Sequence, residues 1–168
     1  FAATLALAGA PPRIHGGADN QAGLALALGG AGMTARELAV IYAALGDGGR
    51  AKPLAWTIDD EERMQAARGF RLMSAESAEK VQRILKEAPT PPGRMPGRLT
   101  ANAPQIAFKT GTSYGYRDAW TIGYDGRHVV GVWLGRPDGA PVAGLVGQDS
   151  AVPVMRDVFA RIGPVTRL

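Results

Sequence analysis

Three apolar segments in close succession, "QIAFKTG", "DAWTIGY" and "HVVGVWLG", constrain the fold of this 168-residue chain more than any other feature. Each has the length of a strand, and β-branched and aromatic residues recur in them. The last two are joined by Asp125-Gly126, the preferred pair for a type I′ turn, so they should form an antiparallel hairpin. The expectation is three adjacent antiparallel strands over 105–110, 118–124 and 128–135, with Asp125-Gly126 at the tip of the second connection.

Helical patterning surrounds this run. In "GMTARELAVIYAALGDGG", Thr34 and Glu37 make a capping box, Leu38, Ile41, Tyr42 and Leu45 recur on one face, and Gly46 supplies the stop. "AKPLAWTI" and "GFRLM" read as short strands around the charged turn "DDEERMQAARG". Ser74 caps a helix over "AESAEKVQRILKEA" with Val81, Ile84 and Leu85 inward. "PTPPGRMPGRLTANAP" is a proline- and glycine-rich connection expected near a functional edge. "SAVPVMRDVFARI" reads as a closing helix with Val154, Val158 and Ile162 inward. This order gives an α+β fold, an antiparallel sheet flanked by helices.

A hydrophobic content of 46% and a charged content of 20% are globular values. Nineteen basic residues against 15 acidic ones give a net charge of +4. Arg13, Arg36, Arg50, Arg63, Arg83, Arg127 and Arg156 are scattered rather than striped, which speaks against a nucleic-acid partner. The mild basicity suits an anionic surface or a carboxylate substrate. No cysteine is present, which excludes thiol catalysis, disulfides and Cys-based zinc sites. The opening "FAATLALAG" reads as the middle of a helix, too short to span a bilayer and without the basic start of a signal peptide. Any export signal or anchor is expected upstream of Phe1.

Several motifs have plain readings. Gly30-x-Gly32-x-x-Ala35, with Asp59 further on, matches a dinucleotide fingerprint. The segments that follow look antiparallel, and Pro53 sits where a central parallel strand would pair, so a tight turn into a capped helix is preferred. His15 and His128 stand apart from any carboxylate pattern, and neither HExxH nor a phosphate-binding Gly-Lys-Ser/Thr loop occurs. No metal and no cofactor is implied.

The segment "KTGTS" is different. On an edge strand, Lys109 projects its ammonium from one face and Thr110 points to the other. Gly111 removes the side chain where a ligand backbone must approach closely. Thr112 and Ser113 offer hydroxyls and backbone N–H groups to an oxyanion or a carboxylate. A lysine and hydroxyls on a solvated edge are the alternative.

Lys-Thr-Gly ahead of a hairpin resembles the third motif of the serine penicillin-binding proteins and β-lactamases, whose set is S-x-x-K, S-x-N and K-T-G. "GGAGMTARELAVIYAALGDGG", "RLMSAESAEKVQRIL", "KTGTSYGYRDAWTIGY", "VVGVWLGRPDG" and "SAVPVMRDVF" are similar, in order, to the tail of a class A penicillin-binding protein of the 1C type. The resemblance implies that residues 1–168 are the C-terminal part of a single transpeptidase domain, of serine β-lactamase-like fold. The activity implied is peptidoglycan D,D-transpeptidation through a serine acyl-enzyme. The implied partners are stem peptides, β-lactams and the upstream part of the same protein. The implied location is the periplasm, on an inner-membrane anchor outside this chain.

Carried onto this sequence, Lys109 keeps the cleft positive and helps hold the S-x-N serine, and Thr110 and Thr112 bind the substrate's terminal carboxylate. The N–H of Thr112 is one of two oxyanion donors, and Gly111, Ser113 and Tyr114 line the substrate. Tyr116 and Arg117 border the cleft, unless Arg117 and Asp118 form a structural pair. Ser77-Ala78-Glu79-Lys80 matches S-x-x-K but lies too close upstream of Lys109, in a segment like the family's peripheral helix. No S-x-N triplet is present, so the nucleophile is expected outside this chain. A non-catalytic cell-wall peptide-binding module of the same fold is the rival reading, and a dinucleotide-binding domain the more distant one.

Overall fold

The three apolar segments pair into one sheet in the computed structural model, which describes residues 2–7, 10–14, 29–60, 69–89 and 105–162. In chain order the elements are α1 (Ala2–Leu7), β1 (Arg13–Ile14), β2 (Ala31–Gly32), α2 (Ala35–Gly46), β3 (Arg50–Ala51), β4 (Phe70–Arg71) and α3 (Ala75–Lys86). There follow β5 (Ala107–Thr112), β6 (Asp118–Tyr124), β7 (Val129–Gly135), a wide π-type turn (Gly147–Ala151) and α4 (Val152–Ile162). The sheet runs β5-β6-β7 with both pairings antiparallel, and β1-β2 and β3-β4 are two-residue antiparallel pairs. The α+β architecture and the central meander are therefore as expected, with β5 reaching two residues further, to Thr112.

Side-chain alternation assigns the two faces of the sheet. On one, Ile106 and Phe108 pack with Val152, Met155 and Phe159 of α4, and Val130 and Val132 join them. Gly123, paired with Phe108, lies under this helix, where an added Cβ would stand 2.6 Å from Met155 Sδ and 2.9 Å from Ile106 Cγ2. On the other face α2 lies against β6 and β7, and the Tyr124 ring rests on Gly46. Burial pushes the Tyr42 phenol of α2 up to about 12.

The helices exist where patterning placed them, but three faces differ. In α4 the buried residues are Val152, Met155 and Phe159, whereas Val154, Val158 and Ile162 are 42%, 36% and 46% exposed. Both sets recur at helical spacing, and Met155 of the buried set fills the space above Gly123. In α3 Ala78 is buried and Leu85 half-buried, while Val81 and Ile84 point outward. Gln82 lies on the inner side because its amide donates to the Leu45 carbonyl of α2. In α2 the core cluster is built on Val40 and Ala44, with Ala51 and Phe70, and Leu38, Ile41 and Tyr42 are only half-buried.

Local chemistry also departs from expectation at turns. Gly46 ends α2, but the left-handed turn belongs to Gly48 (φ 58°) and Gly49 (φ 86°). "AKPLAWTI" contributes only Ala51 to a strand, since Pro53 has no N–H for a ladder. Asp125-Gly126 does not form a type I′ turn, because Gly126 has φ 110° and Asp125 is not at positive φ. The Asp125 carboxylate instead accepts from the N–H groups of Arg127 (2.9 Å) and His128 (2.8 Å), closing a four-residue loop. His128 thus has a carboxylate neighbour after all, with Nδ1 3.3 Å from Asp125 Oδ2. Burial raises the Asp125 pKa, but the two N–H groups and the His128 ring outweigh it and the net shift is downward. His15, Arg63 and most of the proline-rich connection lie outside the described residues.

The capping box forms as read. Thr34 Oγ1 accepts from Glu37 N at 3.2 Å and Glu37 Oε2 accepts from Thr34 N at 2.6 Å. Arg13 then clasps the same carboxylate with two bonds, of 2.9 and 3.0 Å. The Arg13 guanidinium first, then the Thr34 N–H, hold the Glu37 carboxyl at about 2, far below its ordinary 4.5. A folded value below the unfolded one means that this stabilisation is whole above pH 4.5 and is lost as pH falls toward 2. Glu37→Gln should therefore lower stability at neutral pH by about 1–3 kcal/mol and flatten the acid limb of the stability curve. Denaturant titrations at neutral pH and near pH 3 check both effects.

Candidate active site

β5 is an outer strand of the sheet, and among the described residues no strand pairs with its second edge. The six residues from Lys109 to Tyr114 run along its end and into the following turn. Lys109 is exposed, and its ammonium donates to the Thr110 carbonyl at 2.7 Å. Thr110 lies on the opposite, α4 face, half-buried and paired with Thr121. The wholly buried Thr121 hydroxyl donates to the Lys109 carbonyl at 3.3 Å, with Met155 Sδ at 3.6 Å as its other acceptor, which steadies the lysine's backbone.

Gly111 pairs with Trp120, and a Cβ added there would meet only Trp120 Cβ, at an ordinary 3.5 Å. Packing within the described residues therefore gives no reason for glycine at 111. Thr112 is exposed, and its hydroxyl accepts from the N–H of Gly147 at 3.0 Å. Ser113 is drawn into the turn: its N–H donates to Asp118 O at 3.0 Å and its hydroxyl accepts from Asp118 N at 2.8 Å. Tyr114 is fully exposed. The structure thus brings the expected residues together on one edge, with Ser113 occupied in closing the turn.

Beyond Tyr114, Tyr116 is half exposed and holds φ 56°, a left-handed conformation uncommon for an aromatic residue. Its carbonyl accepts from Val142 N at 2.9 Å, which ties the turn to the chain after β7. Asp118 accepts from Trp133 Nε1 at 2.8 Å, and no Arg117–Asp118 ion pair is present among the described residues. Trp120 and Trp133 face each other across the strands with ring centres 6.4 Å apart.

Two residues at this edge escaped sequence reading, Thr121 and Gly147. Thr121 carries no local signal. For Gly147 the signal is a glycine just ahead of the polar start of the closing helix, in "LVGQDSAVP". A Cβ there would stand 2.5 Å from the Gly111 carbonyl and 2.6 Å from the Trp120 carbonyl.

The other motifs resolve as structure. Ser77 accepts from the Ser74 hydroxyl at 2.9 Å, and Lys80 pairs with Glu76 at 2.6 Å on the exposed side of α3. Lysine and serine of that S-x-x-K are thus engaged elsewhere. Gly30 and Gly32 precede a helix whose N-terminus already holds Thr34 and Glu37, beside antiparallel strands. An apolar cavity of about 400 Å³, lined by Thr4, Leu5, Met33, Ile41, Leu72 and Met73, includes none of the edge residues.

The penicillin binding protein transpeptidase domain family matches residues 8–158 of the chain. Penicillin-binding protein 1C of Escherichia coli (strain K12) is 40% identical over 158 residues, 94% of this chain and 19% of that protein. Penicillin-binding protein 1B of Vibrio cholerae is 47% identical over 49 residues, 29% of this chain and 6% of that protein. Penicillin-binding protein 1B of Haemophilus influenzae is 39% identical over 56 residues, 33% of this chain and 7% of that protein. The chain therefore spans less than a fifth of the length of each of these relatives.

The two glycines on these sheet faces should respond oppositely to alanine. Gly111→Ala should change stability by no more than about 0.5 kcal/mol, since the site is open. Gly123→Ala should cost about 1–3 kcal/mol by overpacking against Met155 and Ile106. Chemical denaturation of the two variants provides the comparison.

Proposed function

The chain belongs to the penicillin-binding protein transpeptidase domain family, and on that footing we propose that it forms the K-T-G wall of a peptidoglycan D,D-transpeptidase. The observation that carries this reading is the outer edge of β5, unpaired among the described residues, with Lys109, Gly111 and Thr112 along it. An extended stem peptide ending in D-Ala-D-Ala adds to that edge as a further strand. The space over Gly111 lets its backbone come close, and the Thr112 N–H is one of the two donors to the developing oxyanion. Thr110 and Thr112 hold the terminal carboxylate, and the Lys109 ammonium keeps the cleft positive. Tyr114 lines the approach.

In the proposed reaction a serine from outside this chain attacks the penultimate D-alanine carbonyl, and the terminal D-alanine leaves with a proton. An amine of a second stem peptide then resolves the acyl-enzyme. A β-lactam enters the same cleft and acylates the same serine. Residues 1–168 are the C-terminal part of one transpeptidase domain in this reading. The outward apolar stripes of α3 (Val81, Ile84) and α4 (Val154, Val158, Ile162) support further packing in the complete protein. No described helix is long and apolar enough to cross a membrane. The proposal places the complete enzyme in the periplasm, on an inner-membrane anchor outside this chain.

Lys109→Ala in the full-length enzyme is the direct test. Acylation by penicillin should fall by about 2.7–4 kcal/mol of transition-state stabilisation, the scale of one preorganised donor. Near-normal acylation would remove Lys109 from the mechanism. These 168 residues alone, incubated with a fluorescent penicillin, should take no covalent label, and a label at Ser77 would overturn the external nucleophile.

A further inference from the structure

A threonine hydroxyl has one proton and two lone pairs, and it turns freely unless a neighbour engages it. At Thr112 a neighbour does: the N–H of Gly147 donates to Oγ1 at 3.0 Å. A donor can occupy only a lone pair, so the Thr112 proton is turned away from Gly147, and among the described residues no acceptor receives it. The N–H is itself held in place. Gly147 is buried in a cradle made by the Gly111 carbonyl, the Trp120 carbonyl and Gly111 N, which a Cβ would meet at 2.5, 2.6 and 3.2 Å. Gly111 and Trp120 are the pair next to Thr112 in the β5-β6 register, so the cradle and the hydroxyl move as one body.

We infer that Gly147 is a positioning residue of the carboxylate subsite: its N–H fixes the Thr112 hydroxyl as a donor aimed at the substrate's terminal carboxylate. This rests on the role given to Thr112 under the proposed function. The physical gain is preorganisation. A hydroxyl whose acceptor side is already engaged meets an incoming carboxylate without first turning, and every residue larger than glycine at 147 displaces the N–H that holds it. The sixteen residues from the wide turn through α4 are anchored by Val152, Met155 and Phe159 in the core, which makes the hold rigid.

The test uses the full-length enzyme and two probes, a penicillin with its free carboxylate and the methyl ester of the same penicillin. The quantity read is the ratio of their acylation rates. Thr112→Val should lower the ratio by about tenfold or more, the worth of one hydrogen bond to a charged group. Gly147→Ala should lower it by a similar factor with Thr112 still in place. A Gly147→Ala enzyme in which acid and ester slow equally would reduce Gly147 to a packing residue and overturn the inference. So would an unchanged ratio beside a Thr112→Val enzyme that has lost it. An unchanged ratio in Thr112→Val would instead overturn the carboxylate role of Thr112, and the inference with it. Should the alanine variant fail to fold, glycolic acid at position 147, which replaces N–H by oxygen and adds no side chain, is judged by the same ratio.

Discussion

Close seating of the closing helix on the central sheet is the constraint on which the rest of the structure depends. It requires glycine at two points, Gly123 beneath Met155 and Gly147 against the Gly111 and Trp120 carbonyls. With these contacts made, Val152, Met155 and Phe159 close one face of the sheet over Ile106 and Phe108, and Thr121 is buried with its hydroxyl on the Lys109 backbone. The other face is taken by α2, down to the Tyr124 ring on Gly46. The outer edge of β5, unpaired among the described residues, carries Lys109, Gly111 and Thr112.

On the proposed reading, rigidity of this edge serves the chemistry. Donors arranged before the ligand arrives lower a barrier only if they do not relax into other partners. The Thr112 hydroxyl is held by Gly147, Ser113 is spent on closing the turn, and the Tyr116 carbonyl is tied to Val142. The strained Tyr116 conformation is therefore supported by bonds on both sides of the turn rather than by its own preference. Lys109 keeps a long, exposed side chain whose ammonium is free to exchange the Thr110 carbonyl for a better partner. On the proposed reading, fixed groups beside an adjustable cation suit recognition of an anionic peptide end.

The charge clasp of Arg13 and Glu37 serves another purpose, fastening the chain before β2 to the first turn of α2. Its energy is held in a nearly buried carboxylate with several donors, and so it depends on pH, unlike the apolar contacts of α4. Arg13 was legible only as one of several scattered arginines, because a pairing across the intervening chain leaves no trace in local composition.

By itself the sequence determined the elements and their order. Alternation in the three apolar segments specifies an antiparallel meander, Thr34 and Glu37 specify the start of α2, and Lys-Thr-Gly singles out the strand on which the proposed site rests. All of these are short-range signals, in which the residues that interact lie within a few positions or within one hairpin. Tertiary structure alone decided which side of each helix turned inward. In α4 both Val154–Val158–Ile162 and Val152–Met155–Phe159 satisfy a helical period, and the choice falls to the set that fits above Gly123. It likewise decided that Gly147 would meet Thr112. Those outcomes depend on surfaces brought together from distant parts of the chain, where shape and hydrogen-bond partners, not periodicity, set the free energy.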